Sequence, residues 1–166
     1  MKMSAAILAV VALAGVALAQ DDVLKLKNQI IDIQNKGEFG LQNFALCSEI
    51  TGYGIYVPLK ESVMPKTGQL LIYIEPRNTF IARKAGQYEF WFSLDMAVLS
   101  ETGEVLQEMK DVQPMHYTTK VPVLDIDVQP TLSLEGAPPG KYKVRVTLHD
   151  KLRTASVTHE ADIRVK

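Results

Sequence analysis

The chain has 166 residues, of which 18 are basic and 19 acidic, for a net charge of −1. The balance of charge, with no long run of either sign, argues against nucleic-acid binding, which requires a basic patch, and against a strongly anionic partner. A chain of this length is expected to form one domain. Its only cysteine, Cys47, has no partner for an intrachain disulfide, so the fold must depend on packing.

The first 19 residues have the pattern of a secretory signal peptide. Lys2 precedes an apolar run over residues 5–16, and Ala-Leu-Ala at 17–19 comes just before a polar stretch. The run is shorter than the about 20 residues that cross a bilayer, although an uncleaved anchor is the alternative. We therefore expect an extracytoplasmic protein, periplasmic or secreted, with no transmembrane span once residues 1–19 are removed.

Residues 20–37 form a lead-in that has two interpretations. Four apolar residues are spaced 3, 4 and 3 apart, which is typical of one face of a helix: Val23, Leu26, Ile30 and Ile33. The same segment also alternates in places, as a strand does. We favour a short amphipathic helix, begun by Asp21 or Asp22 and ended by Gly37, that lies on the sheet or leads away from the signal cleavage site.

Residues 38–166 are expected to form a single all-β domain. The clearest alternation is in residues 87–99, where one face carries Tyr88, Phe90, Phe92, Leu94, Met96 and Val98. Turns are predicted at 101–104, with Gly103 at φ > 0, and at 151–154. The predicted strands are 42–50, 53–59, 69–76, 87–99, 104–112, 121–134, 141–149 and 155–165. A change of parity within 121–134 indicates a bulge near Pro122.

The C-terminal hairpin resembles the closing strands of bacterial extracytoplasmic β-sandwich domains of the immunoglobulin-like or fibronectin-III-like kind. The shared pattern is Pro-Gly-x-Tyr, alternating valines, a polar turn and a second alternating strand. Tyr142 stands where immunoglobulin-like folds often have a tyrosine corner. The resemblance implies an immunoglobulin-like antiparallel β-sandwich of seven or eight strands.

Residues 44–166 also resemble an uncharacterised family of secreted proteins from planctomycete-type bacteria. The matching positions are Cys47, Gly52, Tyr53, Gly54, Tyr56, Gly68, Tyr73, Glu75 and Asn78. Pro76 and Arg77 depart from the pattern, which more often has an apolar and an acidic residue there. The resemblance implies a fold and a compartment, and it carries no activity.

No residue pattern in the chain predicts catalysis, a metal or a cofactor. Cys47 is most simply a small buried apolar residue. The three histidines lack metal-ligand spacing, and the carboxylates, Glu75 and Asp95 among them, alternate outward as on a solvated face. Sequence motifs for calcium loops, serine hydrolases, zinc peptidases and phosphate loops are absent. We therefore expect a protein that is not an enzyme.

The aromatic residues are the candidates for ligand binding. Trp91 shares its predicted strand face with polar residues, so it is expected to point outward, unless the N-terminal segment or the 76–86 loop covers it. Tyr53 and Tyr56 are the other two candidates. The 76–86 loop is the longest irregular stretch after the N-terminal segment and is expected to be mobile. Its candidate partner-binding residues are Arg77, Phe80, Arg83 and Lys84.

Two functions are consistent with these features. The first is a secreted, non-enzymatic β-sandwich module that binds a protein or a component of the cell envelope. The second is a carbohydrate-binding module in which Trp91 and the nearby tyrosines stack on sugar rings.

Overall fold

A computed structural model describes residues 20–166 of the chain. The predicted signal peptide, residues 1–19, lies outside the described residues. The described chain begins with helix α1 over residues 20–34, which ends in a turn where the backbone N–H of Gly37 donates to the carbonyl of Ile33. The helical interpretation of this segment is therefore confirmed.

The rest of the described chain is mostly β-structure in ten strands. They are β1 Gly40–Gly52, β2 Ile55–Pro58, β3 Gln69–Arg77, β4 Ala82–Lys84, β5 Gln87–Ser100, β6 Val105–Met109, β7 Met115–Thr119, β8 Thr131–Ser133, β9 Gly140–Asp150 and β10 Ala155–Val165. The predicted turns at 101–104 and 151–154 are both present, and Gly103 has a φ of 91°.

The single strand predicted over 121–134 is wrong, and so is the bulge predicted near Pro122. Only Thr131–Ser133 forms a strand, and the preceding segment makes one isolated bridge, between Val128 and Ile74. Pro122 and Pro130 lack the N–H group that a ladder requires, which limits how long this segment can pair. The short strands β4 and β7 are not among the strands predicted from the sequence.

The strands form two antiparallel sheets. One has four strands in the order β2-β1-β3-β8, and the other has six, in which β10, β9 and β5 are neighbours and β4, β6 and β7 also pair with β5. The core lies between the sheets, where the predicted inward face of β5 packs on Leu70, Ile72 and Ile74 of β3.

Strand β5 is the centre of the larger sheet, because it pairs along both edges. Tyr88 is opposite Arg83 of β4 on one edge and opposite Thr119 of β7 on the other. Further along β5, β9 pairs with the same edge as β4, and β6 pairs with the same edge as β7. Since successive side chains alternate, Phe92 points into the core and Trp91 points outward.

Helix α1 docks beside β4 through one buried residue and a set of polar contacts. Ile31 is fully buried in a small cluster with Ile81 and Tyr88. The side chain of Asn35 donates to the carbonyl of Ile81 at 2.9 Å and accepts from the N–H of Ile81 at 2.9 Å. A side-chain amide thus pairs with the backbone as a neighbouring strand would.

The helix face that packs on the domain is not the predicted one. The four residues spaced 3, 4 and 3 apart are exposed, with relative accessibilities of 54% for Val23, 59% for Leu26, 47% for Ile30 and 72% for Ile33. The helix therefore packs against the domain, but not through this apolar stripe. Specific polar contacts around Ile31 set the docked face instead.

The 76–86 segment is more regular than expected, because it contains β4. Thr79 and Ile81 are buried. The N–H of Phe80 donates to the carboxylate of Asp150 at 2.8 Å, and Arg83 forms an ion pair with Asp32 of α1. Hydrogen bonds therefore tie this segment to both α1 and β9.

Arg153, in the turn between β9 and β10, caps the end of α1. Its guanidinium donates to the carbonyls of Gln34, Asn35 and Gly37. The last carbonyls of a helix have no partner within the helix, so a cation here satisfies them and complements the helix dipole. None of the helical structure in residues 20–166 is long and apolar enough to span a membrane.

The turn between β4 and β5 generates a prediction about stability. Ala85 and Gly86 have φ values of 51° and 75°, as both central residues of a type I′ turn require, and alanine is strained there. We expect Ala85→Asn to raise the free energy of unfolding by about 0.5–1 kcal/mol, since asparagine tolerates this conformation. Urea denaturation measures the change.

The matched control is Ala82→Asn, which places the same side chain in β4 itself, where asparagine is disfavoured. This variant should be neutral or less stable than the parent protein. A stability gain at position 82 but none at position 85 would contradict the turn assignment.

Candidate binding surface around Trp91

Trp91 stands on the outer face of the larger sheet and is left partly open to solvent. Its side chain is 39% exposed. It stacks on the ring of His116, directly opposite on β7, with the ring centroids 4.5 Å apart and an interplanar angle of 12°. The alternative in which another segment buries Trp91 is therefore not found.

A histidine–carboxylate pair holds the ring that supports Trp91. His116 Nε2 lies 2.7 Å from Glu89 Oε1, and Glu89 is on the same face of β5 as Trp91. A shallow groove of ≈ 350 Å³ adjoins them, lined by Lys84, Ala85, Gln87, Glu89, His116 and Thr118. The surface therefore combines one aromatic ring with several hydrogen-bonding groups at fixed positions.

A second histidine–carboxylate pair lies further along the same outer face. His149 Nε2 is 3.0 Å from Asp95 Oδ2, and the N–H of Asp111 donates to Asp95 Oδ1 at 3.0 Å. Burial disfavours the charged form of Asp95, but the N–H of Asp111 and the neighbouring His149 outweigh it and lower the pKa of this carboxyl.

Ser93 lies between Trp91 and Asp95 on β5 and directly opposite His149 on β9. A serine, a histidine and an aspartate are thus close together, which no spacing in the sequence indicates. A nucleophilic serine must hydrogen-bond to its base and be open to substrate. Ser93 is 1% exposed, and its Oγ has no hydrogen-bond partner among the described residues. The three side chains therefore lack the geometry of a hydrolytic triad.

The candidate tyrosines lie in the other sheet. Tyr56 stacks on Tyr73 with the ring centroids 4.2 Å apart, and Asn43 donates to the hydroxyl of Tyr56 at 2.6 Å. Tyr53 is 43% exposed at the turn between β1 and β2. Because Tyr73 is on the outer face of the four-stranded sheet, the core separates these rings from Trp91. The structure does not bring Trp91 and the tyrosines onto one surface.

Hydrogen bonding around Tyr73 accounts for the glycine-rich stretch after Cys47. The hydroxyl of Tyr73 accepts from the N–H of Gly54 at 2.6 Å and donates to Glu75 Oε1 at 2.6 Å. Burial, together with the bond to Glu75, raises the pKa of the Tyr73 hydroxyl. Gly54 has a φ of 69°, which lets the β1–β2 hairpin bend over the sheet.

The prediction that Glu75 is a solvated outward residue is wrong. Glu75 does point to the outer side of its sheet, but it is only 7% exposed. Strand alternation places a side chain on a face, and it does not indicate whether other residues cover that face. Cys47, by contrast, is fully buried as expected, and burial raises the pKa of its thiol.

The four candidate residues of the 76–86 loop have different surroundings. The guanidinium carbon of Arg153 lies over the ring of Phe80, 5.6 Å from the ring centroid, and Arg83 pairs with Asp32. Arg77 is exposed beside Gly40. Lys84 borders the groove next to Trp91, so it alone of the four joins that surface.

No group of three or more histidine, cysteine, aspartate or glutamate side chains within residues 20–166 is arranged to hold a metal ion. No protein-family model matches the chain, and neither does any curated protein with which it was compared.

The Asp95–His149 pair predicts how stability depends on pH. Because the folded state lowers the pKa of Asp95, this carboxylate stabilises the fold above its unfolded pKa of about 3.9. That contribution is lost as the pH falls through the lower folded-state pKa. We expect Asp95→Asn to reduce the decrease in the free energy of unfolding below about pH 5. Urea titrations at successive pH values measure this dependence.

Asp150→Asn is the contrasting variant. Burial raises the pKa of Asp150 despite hydrogen bonds from the N–H groups of Phe80 and Arg153. Protonation of Asp150 therefore favours the folded state. Its replacement should make the free energy of unfolding fall more steeply as the pH decreases. The same change of slope in both variants would contradict this account.

Proposed function

We propose that the protein is a secreted, non-catalytic β-sandwich of the immunoglobulin-like kind that binds a protein of the cell envelope through the surface around Trp91. The observation that carries the proposal is the outward, stacked position of Trp91 on the central strand of the larger sheet. Tryptophan contributes large binding energies at protein interfaces. A ring held by its neighbour loses little conformational freedom on binding.

The order of the strands supports the immunoglobulin-like assignment. Strands β1, β3 and β8 are neighbours in one sheet and β5, β9 and β10 in the other, which corresponds to the A, B, E and C, F, G strands of that fold. The hydroxyl of Tyr142 donates to the carbonyl of Pro138 at 2.7 Å, as a tyrosine corner does. Immunoglobulin domains have a buried tryptophan on strand C, whereas here Phe92 is buried and Trp91 faces outward.

The surroundings of Trp91 favour a binding surface over a catalytic one. The two histidine–carboxylate pairs lie on a sheet face, and the hydroxyl closest to them, that of Ser93, is buried. His116 and its partner Glu89 instead place polar groups beside the aromatic ring, as the rim of a protein interface does.

A glycan is the second candidate ligand. The observation that favours it is the groove bordered by His116, the ring on which Trp91 stacks, in which Gln87, Glu89 and Thr118 offer hydrogen bonds. On this alternative Trp91 would stack on a sugar without Tyr53 and Tyr56, which are on the other side of the core. The signal-peptide pattern and the resemblance to secreted bacterial proteins support an extracytoplasmic location for either ligand.

The test targets Trp91, the only tryptophan in the chain. Proteins cross-linked to the purified chain in intact cell envelopes are identified, and each is then titrated by calorimetry, which measures the affinity of variants that lack tryptophan as well as that of the parent. We expect Trp91→Ala to weaken binding by at least about 2 kcal/mol, or roughly thirtyfold. A panel of envelope glycans is titrated in parallel.

Tyr53→Ala is the matched control, since it removes an exposed aromatic ring from the opposite sheet, and it should leave the affinity unchanged. Saturable binding of a glycan but of no protein would replace the first candidate with the second. If Trp91→Ala binds all ligands as the parent does, the proposed surface is wrong.

A further inference from the structure

The exposed apolar stripe of α1 is not used by the fold or by the surface around Trp91. We define the seam as its four residues: Val23, Leu26, Ile30 and Ile33. Each is at least 47% exposed, in a helix of 15 residues; Leu24, which lies outside the seam, is also 40% exposed. Large apolar side chains grouped on one helix face are characteristic of an interaction surface.

The seam lies on the side of α1 opposite the domain. The docked face consists of Asn28, Ile31, Asp32 and Asn35, which contact Tyr88, Ile81 and Arg83. At 3.6 residues per turn, these positions fall about half a turn from the centre of the seam. A second helix can therefore approach the seam without meeting the sandwich to which α1 is attached.

The spacing of the seam is that of a heptad repeat. Val23 and Ile30 occupy a positions, and Leu26 and Ile33 occupy d positions. β-Branched residues at a, with leucine at a d position, favour two parallel strands. In that arrangement the g residue of one helix faces the e residue five positions later on its partner. Asp22 and Lys27 are such a pair, so their charges are complementary in both halves of a symmetric dimer.

We propose that two copies of this chain associate through a parallel two-stranded coiled coil formed by the seam. A helix of this length is marginal in isolation. Here the domain already holds it, through Ile31, the two hydrogen bonds of Asn35 and the cap provided by Arg153. Little ordering is then required on association, and the two sandwiches lie on opposite outer sides of the helix pair. The dimer would present two Trp91 surfaces, but it does not depend on their proposed function.

The test begins with the full chain, made with its own N-terminal segment, and the mass of the purified product defines its N-terminus. Sedimentation equilibrium over a range of concentrations is expected to show reversible monomer–dimer association. Leu26→Glu, which places a charge in the seam, should be monomeric. Leu106→Glu is the matched control, because Leu106 is similarly exposed, at 52% against 59%, but lies in β6. It should remain dimeric.

Charge exchange tests the parallel arrangement. Asp22→Lys and Lys27→Asp each place like charges opposite one another and should weaken self-association by about tenfold. An equimolar mixture of the two variants should form a heterodimer of about the parent affinity, because both cross-pairs are then complementary. Circular dichroism shows whether α1 is intact in each variant.

Several results would overturn the proposal. They are a parent protein that stays monomeric at all concentrations, a dimer that survives Leu26→Glu, or one that is lost in Leu106→Glu. A monomer that sediments with phosphatidylglycerol vesicles, and does so through Leu26, would show that a membrane occupies the seam instead. Trp91→Ala should remain dimeric, which separates failure of this proposal from failure of the proposed function.

Discussion

Hydrogen bonding along both edges of β5 determines the architecture of the larger sheet. Four strands pair with this one strand, so its register sets theirs. Because successive side chains of a strand point to opposite faces, Trp91 must point outward when Phe92 and Leu94 are in the core. The candidate surface is thus a consequence of the same alternation that builds the core.

The same strand also positions the polar groups near Trp91. Glu89, Ser93 and Asp95 share its outward face, and the pairing of β7 and β9 brings a histidine to Glu89 and another to Asp95. One of these pairs supports the exposed ring. The other lies beside a buried serine, whose hydroxyl has no access to a substrate.

Much of the β-structure could be predicted from the sequence, because strong alternation depends only on local residue types. The inward face of β5 and the β9–β10 hairpin are examples, with apolar and polar residues at every second position. The segment before β8 could not be predicted, because an extended chain that makes a single backbone bridge has the same alternation as a strand. Strand β4 was missed because three residues are too few to show a period.

The candidate site was predictable in part for the same reason. The outward direction of Trp91 follows from local alternation, whereas its stacking on His116 depends on the partner strand. The burial of Glu75 depends on a hairpin that folds over the outer face of the smaller sheet. The docked face of α1 shows most clearly what the sequence could not predict. Ile31 is buried and Ile30 is exposed, because polar contacts with residues distant in the sequence determine which face of the helix packs on the domain.

Fluorescence quenching of the only tryptophan tests the register of β5 most directly. In the parent protein, acrylamide should quench the emission of Trp91 readily, as expected for a partly exposed ring, and the emission should be that of a solvated indole. Replacement of His116 by alanine should expose the ring further and increase the quenching. A blue-shifted emission that resists acrylamide would place Trp91 in the core, and it would contradict both the register and the surface built on it.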